Sequence, residues 1–303
     1  MASAPASAAS DAARGGVRAV LCYHGRVTYC VGIWTRQGLV MASDSRTNAG
    51  HDQVNLARKM HVFVQPGERV FILLSSGSLS CTQSIITLLR RDFDDGKGLA
   101  QAASLYDAAR VIGEDVRRVS DMDRAALERD EFKFNVNFIL GGQVRGEPPG
   151  LFIVYPQGNP LQASEESPYL QIGETKYGRP ILDRGIRFEE TTLEEAAKYA
   201  LLSLDSTMRS NATVGPPIDL LAYGVDELEI TRQRRFAATD SDLVKIGVRW
   251  QQALRHAVAR LPQIRFRVSH ATGSRPAPDE SILLVEPNPS DPSSVQVSQR
   301  PSP

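Results

Sequence analysis

The first run of alternating, strand-like positions begins at Thr28. Residues 28–35 (TYCVGIWT) are rich in β-branched and aromatic side chains, and residues 39–43 (LVMAS) follow a polar Arg36-Gln37-Gly38 turn. This pattern predicts a β-hairpin. Residues 60–64 and 70–75 predict a second hairpin around Gln65-Pro66-Gly67. The period then changes: Ile85, Ile86, Leu88 and Leu89 mark a helix that ends near Asp94-Asp95-Gly96. Ala102, Leu105, Ala109, Ile112 and Val116 recur at helical spacing in a longer helix over 99–129.

The order then repeats. Residues 135–141 and 151–155 read as strands, linked through Gly141-Gly142 and Glu147-Pro148-Pro149-Gly150. Residues 192–208 form a helix with a threonine cap and acidic residues in its first turn. Residues 218–225 and 228–231 read as strands, and 240–261 as a last helix stopped by Pro262. Hairpin sets that are each followed by helices predict an α+β fold, a four-layer αββα sandwich of two stacked antiparallel sheets.

Composition narrows the class. The 303 residues carry 35 basic and 35 acidic side chains and are 42% hydrophobic. That excludes a bulk-disordered chain and argues against a basic nucleic-acid binder. No apolar run nears the roughly 20 residues that cross a bilayer, so no membrane partner is expected. Cys22, Cys30 and Cys81 show no CxxC spacing, which points away from a disulfide framework and toward a cytoplasmic location. The five histidines have no ligand spacing, and no metal site is expected. Residues 1–27 lack an apolar period, and 286–303 are rich in Pro and Ser and read as a disordered tail. A single domain over 28–285 is the expectation.

Three residues offer chemistry. Thr28 opens the first strand, Asp44 follows the second and Lys59 opens the third, so the chain reversals bring them near one end of the first sheet. A threonine hydroxyl is a poor nucleophile and needs a base; a free α-amine on the same residue, with a pKa near 8, supplies one. A nearby lysine favours the neutral amine, and a carboxylate holds that lysine in place. Taken alone, the three also fit a strand threonine, a turn aspartate and a surface lysine.

The wider sequence favours the chemical reading. TYCVGIWTRQGLVMASDSRTNAG followed by ARKMHVFV resembles the start of a proteasome β-type subunit. Ser43 to Gly50, Arg58-Lys59-Met60, Asp205 to Asn211 and Val214-Gly215-Pro216-Pro217-Ile218-Asp219 resemble, within that family, the bacterial ancestral β-subunit group. The resemblance covers about 28–265 and implies an N-terminal-nucleophile hydrolase, a threonine-type peptidase that works as a homo-oligomeric ring or spiral on peptide or protein substrates. It implies no metal or organic cofactor. Residue by residue, Thr28 matches the nucleophile, Asp44 and Lys59 the charged pair, and Gly77 the oxyanion-hole glycine. Arg46 belongs to the matching Asp-Ser-Arg segment. A family Gly-Ser-Gly-Ser element corresponds to Gly173-Glu174-Thr175-Lys176, so a supporting serine is replaced by Glu174. The family's Arg-Asp-x-x-Ser-Gly corresponds to residues 209–214, with Ser210 and Thr213 at the polar positions. These replacements leave two alternatives open: an assembly subunit of low activity, or an amidase acting on a non-peptide amide.

Thr28 must be the first residue for this chemistry. Either residues 1–27 are a propeptide removed after Val27, or translation starts at a GTG codon for Val27 and the initiator is then cleaved; the second is the preferred expectation. A chain starting at Thr28 loses Arg14, Arg18 and Arg26 but only one acid, Asp11, and so carries a net charge of about −2.

Overall fold

A computed structural model of the protein describes residues 28–48, 54–130 and 132–266. The segments 1–27 and 286–303, with His24, His51 and His270, lie outside the described residues. The first hairpin is β1 (Tyr29–Thr35) and β2 (Gly38–Asp44), and a short ribbon of β3 (Arg46–Asn48) and β4 (Val54–Leu56) follows it. The second hairpin is β5 (Met60–Gln65) and β6 (Arg69–Gly77). The elements α1 (Leu79–Asp94), α2 (Leu105–Arg129), β7 (Val136–Val144), β8 (Gly150–Val154), β9 (Pro160–Gln162) and β10 (Tyr169–Gly173) come next. The chain continues through α3 (Arg179–Gly185), α4 (Leu193–Ser210), β11 (Ile218–Gly224), β12 (Arg232–Phe236) and α5 (Ser241–Ala259). The compact body runs through Val258, and a separate small unit begins at Ala259.

Two five-stranded antiparallel sheets form, in the orders β10-β1-β2-β11-β12 and β5-β6-β7-β8-β9. Alternation along the strands builds the layers. Cys30, Leu39, Met41, Val70, Ile72, Leu74, Ile139 and Leu151 form a core between the sheets. Phe71, Leu73, Phe138 and Leu140 instead face Ile85, Leu89, Ile112 and Val116 of α1 and α2. Val31, Ile33, Val40 and Ala42 face Ala196, Ala200 and Leu204 of α4. Strands buried on both faces explain the near-continuous apolar runs in β2 and β6. The αββα sandwich stands as the sequence predicts.

Several details differ from the sequence reading. The hairpin sets do not each make a sheet: β7 pairs with β6, β8 pairs with β7, and together they extend the second sheet. Gly141 and Gly142 lie inside β7, not in a link. A Cβ on Gly142 would sit 2.2 Å from the Val70 carbonyl oxygen, so the bare backbone permits close strand approach. The helix expected over 99–129 breaks into a short 3-10 turn, Gly98–Gln101, and α2, because the Ser104 hydroxyl caps α2 by accepting from the Asp107 N–H at 3.1 Å. Residues 228–231 are not a strand, since Asp226 and Leu228 turn the chain at positive φ. The strand is the basic run itself, β12, in which Arg232, Arg234 and Arg235 pair with Glu227, with Asp240 and Asp242, and with Asp219. These charges suit an exposed sheet edge.

His61 on β5 is mostly buried beside Ile86, Thr87 and Arg90. Burial, with the Arg90 and Arg58 guanidiniums nearby, pushes its imidazole down to about 4. The folded protein therefore holds His61 neutral where the unfolded chain would protonate it. The stability it contributes is present above pH 6.5 and lost as pH falls toward 4. Denaturation midpoints recorded against pH should show this loss, on the order of 2 kcal/mol, and His61→Gln should remove that part of the slope.

Candidate active site

The site forms where the two sheets meet at one end. Asp44 ends β2 of the first sheet, and Lys59 immediately precedes β5 of the second. Lys59 thus reaches the end of the first sheet from the start of the second. The β3–β4 ribbon closes the loop between them, aided by the Ala57 N–H donating to the Ser45 carbonyl at 2.9 Å.

Asp44 is fully buried and its carboxylate is saturated with donors. Lys59 Nζ donates to Oδ1 at 2.6 Å and the Tyr29 N–H donates to the same oxygen at 3.1 Å. Oδ2 accepts from the N–H groups of Arg46 at 3.2 Å and Gly215 at 3.3 Å. Burial pushes the Asp44 carboxyl above its usual range, opposed by the Lys59 ammonium and by the bonds from Tyr29 and Gly215. Lys59 is itself buried, and its second bond goes to the Arg46 carbonyl at 2.6 Å. Its own carbonyl accepts from the Ser75 N–H at 2.9 Å, which ties the lysine to β6. The ammonium is a fixed positive charge rather than a roaming side chain.

Thr28 is buried directly before β1, one residue from the N–H that binds Asp44. Its carbonyl accepts from the Glu174 N–H at 2.7 Å. This contact depends on Gly173, which has φ +89°; a Cβ there would lie 1.8 Å from the Thr28 carbonyl oxygen. Gly173→Ala should therefore shift Thr28. We expect at least a tenfold loss of any Thr28-dependent hydrolysis, with a stability loss of about 1–2 kcal/mol by denaturant titration.

Gly77 closes β6 two residues beyond Ser75, with φ +115° and a virtual Cβ 2.1 Å from the Asn135 carbonyl oxygen. Only glycine fits that turn of the backbone. Arg46 contributes its backbone to Asp44 and Lys59, while its guanidinium donates to the Ala212 carbonyl at 2.5 Å. Glu174 accepts from Asn211 Nδ2 at 3.1 Å, and Asn211 Oδ1 accepts from the Thr213 hydroxyl at 2.6 Å and N–H at 3.0 Å. Ser210 lies exposed at the end of α4. The side chain that reaches Glu174 belongs to its neighbour, Asn211. Cys30 is buried between the sheets, its thiol 3.7 Å from the Ser75 carbonyl oxygen, and serves as core.

Asn211, Gly173, Gly215 and the Tyr29 N–H were not singled out from sequence. The two glycines lie inside segments already quoted for the resemblance. Backbone donors leave no side-chain signature.

Two stacked antiparallel sheets with a buried Lys59–Asp44 pair beside the start of β1 define a class, and comparison with known proteins places the chain within it. The family described as "Proteasome subunit" matches residues 26–221. The chain belongs to that family. Among solved structures it is similar to an Anbu (Gly-1) mutant from Hyphomicrobium sp. strain MC1, with 44% identity, TM-score 0.74, and 79% of this chain and 100% of that chain covered. It is similar to Anbu, the ancestral β-subunit, from Yersinia bercovieri, at 43% identity and TM-score 0.75, covering 79% and 100%. The helical assembly of the Anbu complex from Pseudomonas aeruginosa gives 43% identity and TM-score 0.75 over 78% of this chain and 98% of that one. The proteasome subunit beta of Haloquadratum walsbyi is 28% identical over 210 residues, 69% of this chain and 78% of that protein.

Proposed function

We propose that this protein is a threonine-type peptidase whose nucleophile is Thr28 at a free N-terminus. The observation that carries this reading is the buried Lys59–Asp44 pair, at 2.6 Å, joined through the Tyr29 N–H to the residue after Thr28. In the reaction, the Thr28 hydroxyl attacks the peptide carbonyl while the α-amine accepts its proton. Lys59 favours the neutral amine and stabilises charge developing on the threonine oxygen. The Gly77 N–H faces the oxyanion. The tetrahedral intermediate expels the amine product, which takes the proton from the α-ammonium. Water then hydrolyses the acyl ester on Thr28 by the reverse proton path, and the free hydroxyl returns.

The same reading includes self-assembly into a homo-oligomer and action on peptides or proteins in the cytoplasm. A relative described as a helical assembly supports the oligomer. Among the described residues no helix is long and apolar enough to cross a membrane. Treating the protein with a peptide-derived β-lactone, followed by peptide mapping, tests the nucleophile. The adduct is expected on Thr28; an adduct on another residue, or none, overturns the assignment.

A further inference from the structure

The turn that joins Asp44 to Arg46 is held from a side the mechanism does not use. Ser45 is the first residue beyond β2 and is fully buried. Its carbonyl accepts from the Ala57 N–H at 2.9 Å, which brings the chain back toward Lys59. Its hydroxyl donates to Asp219 Oδ2 at 3.3 Å. Asp219 lies on β11, one position beyond the residue paired with Asp44, and opposite Arg235 of β12. Arg235 Nη1 donates to both Asp219 oxygens, at 2.7 and 2.6 Å. The Asp219 side chain is 17% exposed and that of Arg235 35%, so these contacts run from the edge strand of the first sheet into the buried turn. The residue on each side of Ser45 serves the site. Asp44 carries the carboxylate, and Arg46 gives its N–H to Asp44 at 3.2 Å and its carbonyl to Lys59 at 2.6 Å.

We propose that Arg235, Asp219 and Ser45 form a brace of positioning residues that fixes the Asp44–Arg46 turn, and through it Lys59, from the edge of the first sheet. The inference rests on the peptidase reading, in which Lys59 acts on Thr28. All three residues act through the turn and not on the substrate. Charge-assisted bonds from Arg235 orient the Asp219 carboxylate, and one of its oxygens then receives the Ser45 hydroxyl. The peptide joining Ser45 to Arg46 is bonded at both ends, its carbonyl to Ala57 and its N–H to Asp44. With the Ser45 side chain also tied, that peptide keeps one orientation, and the next carbonyl meets the Lys59 ammonium. A displacement of about 1 Å at a catalytic group can cost about a hundredfold in rate, so slack in this turn reaches the reaction. The basic run of β12 thus divides its work. Arg234 is paired with Asp240 and Asp242 beside α5, whereas Arg235 is turned toward the site.

Steady-state hydrolysis of a fluorogenic peptide and amide hydrogen exchange, measured on the same full-chain variants, test the brace. Ser45→Ala and Asp219→Ala are each expected to lower kcat about tenfold with KM within about twofold, and Arg235→Gln to lower it by a smaller factor. The double variant Ser45→Ala/Asp219→Ala should lose no more than the larger single loss, because both changes cut one tether. Ser45→Thr keeps the hydroxyl and should retain most of the rate. Arg234→Gln removes a neighbouring ion pair of the same strand and should leave kcat unchanged. Exchange at the Arg46 and Ala57 amides should quicken about tenfold in Ser45→Ala and Asp219→Ala. Thermal midpoints should move by only a few degrees, since the Asp219–Arg235 pair is partly exposed. Wild-type kcat in both single variants, losses that multiply in the double variant, or unchanged exchange at Arg46 and Ala57 overturns the brace and leaves Thr28 as nucleophile. Hydrolysis that survives Thr28→Ala overturns the peptidase reading instead, and the exchange rates still decide whether Ser45 and Asp219 hold the turn.

Discussion

Lys59→Met is expected to lower the thermal midpoint by about 10 °C and to reduce peptide hydrolysis at least a hundredfold. The reason is the state of Asp44, whose carboxylate is fully buried and loses the Lys59 counter-ion, with Nζ at 2.6 Å. Breaking one half of a buried ion pair costs about 3–5 kcal/mol, and each kcal/mol moves the midpoint by about 2–4 °C in a domain of this size. The sign with pH follows. Burial already pushes Asp44 up, and without the ammonium that push is less opposed. The folded variant then binds a proton that the unfolded chain releases, so its stability is greatest at acid pH and is lost as pH rises. Thermal melts of the variant at pH 5 and pH 8 check this. Adding Asp44→Asn to Lys59→Met should recover much of the stability without recovering activity, which separates the electrostatic cost from the catalytic role.

Thr28→Ala is expected to reduce hydrolysis at least a thousandfold while leaving the melting midpoint within a few degrees. The contrast with Lys59 comes from the contacts. The backbone of Thr28 makes the bond to Glu174 that orders the start of β1, and alanine keeps that bond. What the variant removes is the hydroxyl proposed to form the acyl ester, and a missing nucleophile would have no substitute among the groups described at the site. Thr28→Ser retains a hydroxyl and an amine and should keep measurable activity. Initial rates on a fluorogenic peptide mixture, alongside thermal melts, give both halves of the prediction.

Much of this architecture was readable from the chain. The apolar runs of β1, β2, β5 and β6 are buried on one or both faces, which makes their pattern strong, and Thr28, Asp44 and Lys59 stand at their ends. What was not readable followed from pairing between distant segments. The chain reversals bring Lys59 near the end of the first sheet, but sequence does not show which strand pairs with which, and β5 belongs to the second sheet. β12 escaped notice because its outward positions are arginines neutralised by acids of neighbouring segments, so no apolar alternation marks it. Asn211 was passed over for Ser210 because a one-residue shift at the end of α4 decides which side chain reaches Glu174. Gly173 is decisive only through its positive φ, which sequence does not display.

A nucleophile and a base on one residue, as proposed for Thr28, require a free amine there. Intact-mass measurement of the protein purified from its native host, with sequencing of the N-terminal peptide, tests it most directly. The expected chain begins with Thr28-Tyr29-Cys30. A purified chain that retains Val27, or any residue before it, would overturn Thr28 as the nucleophile.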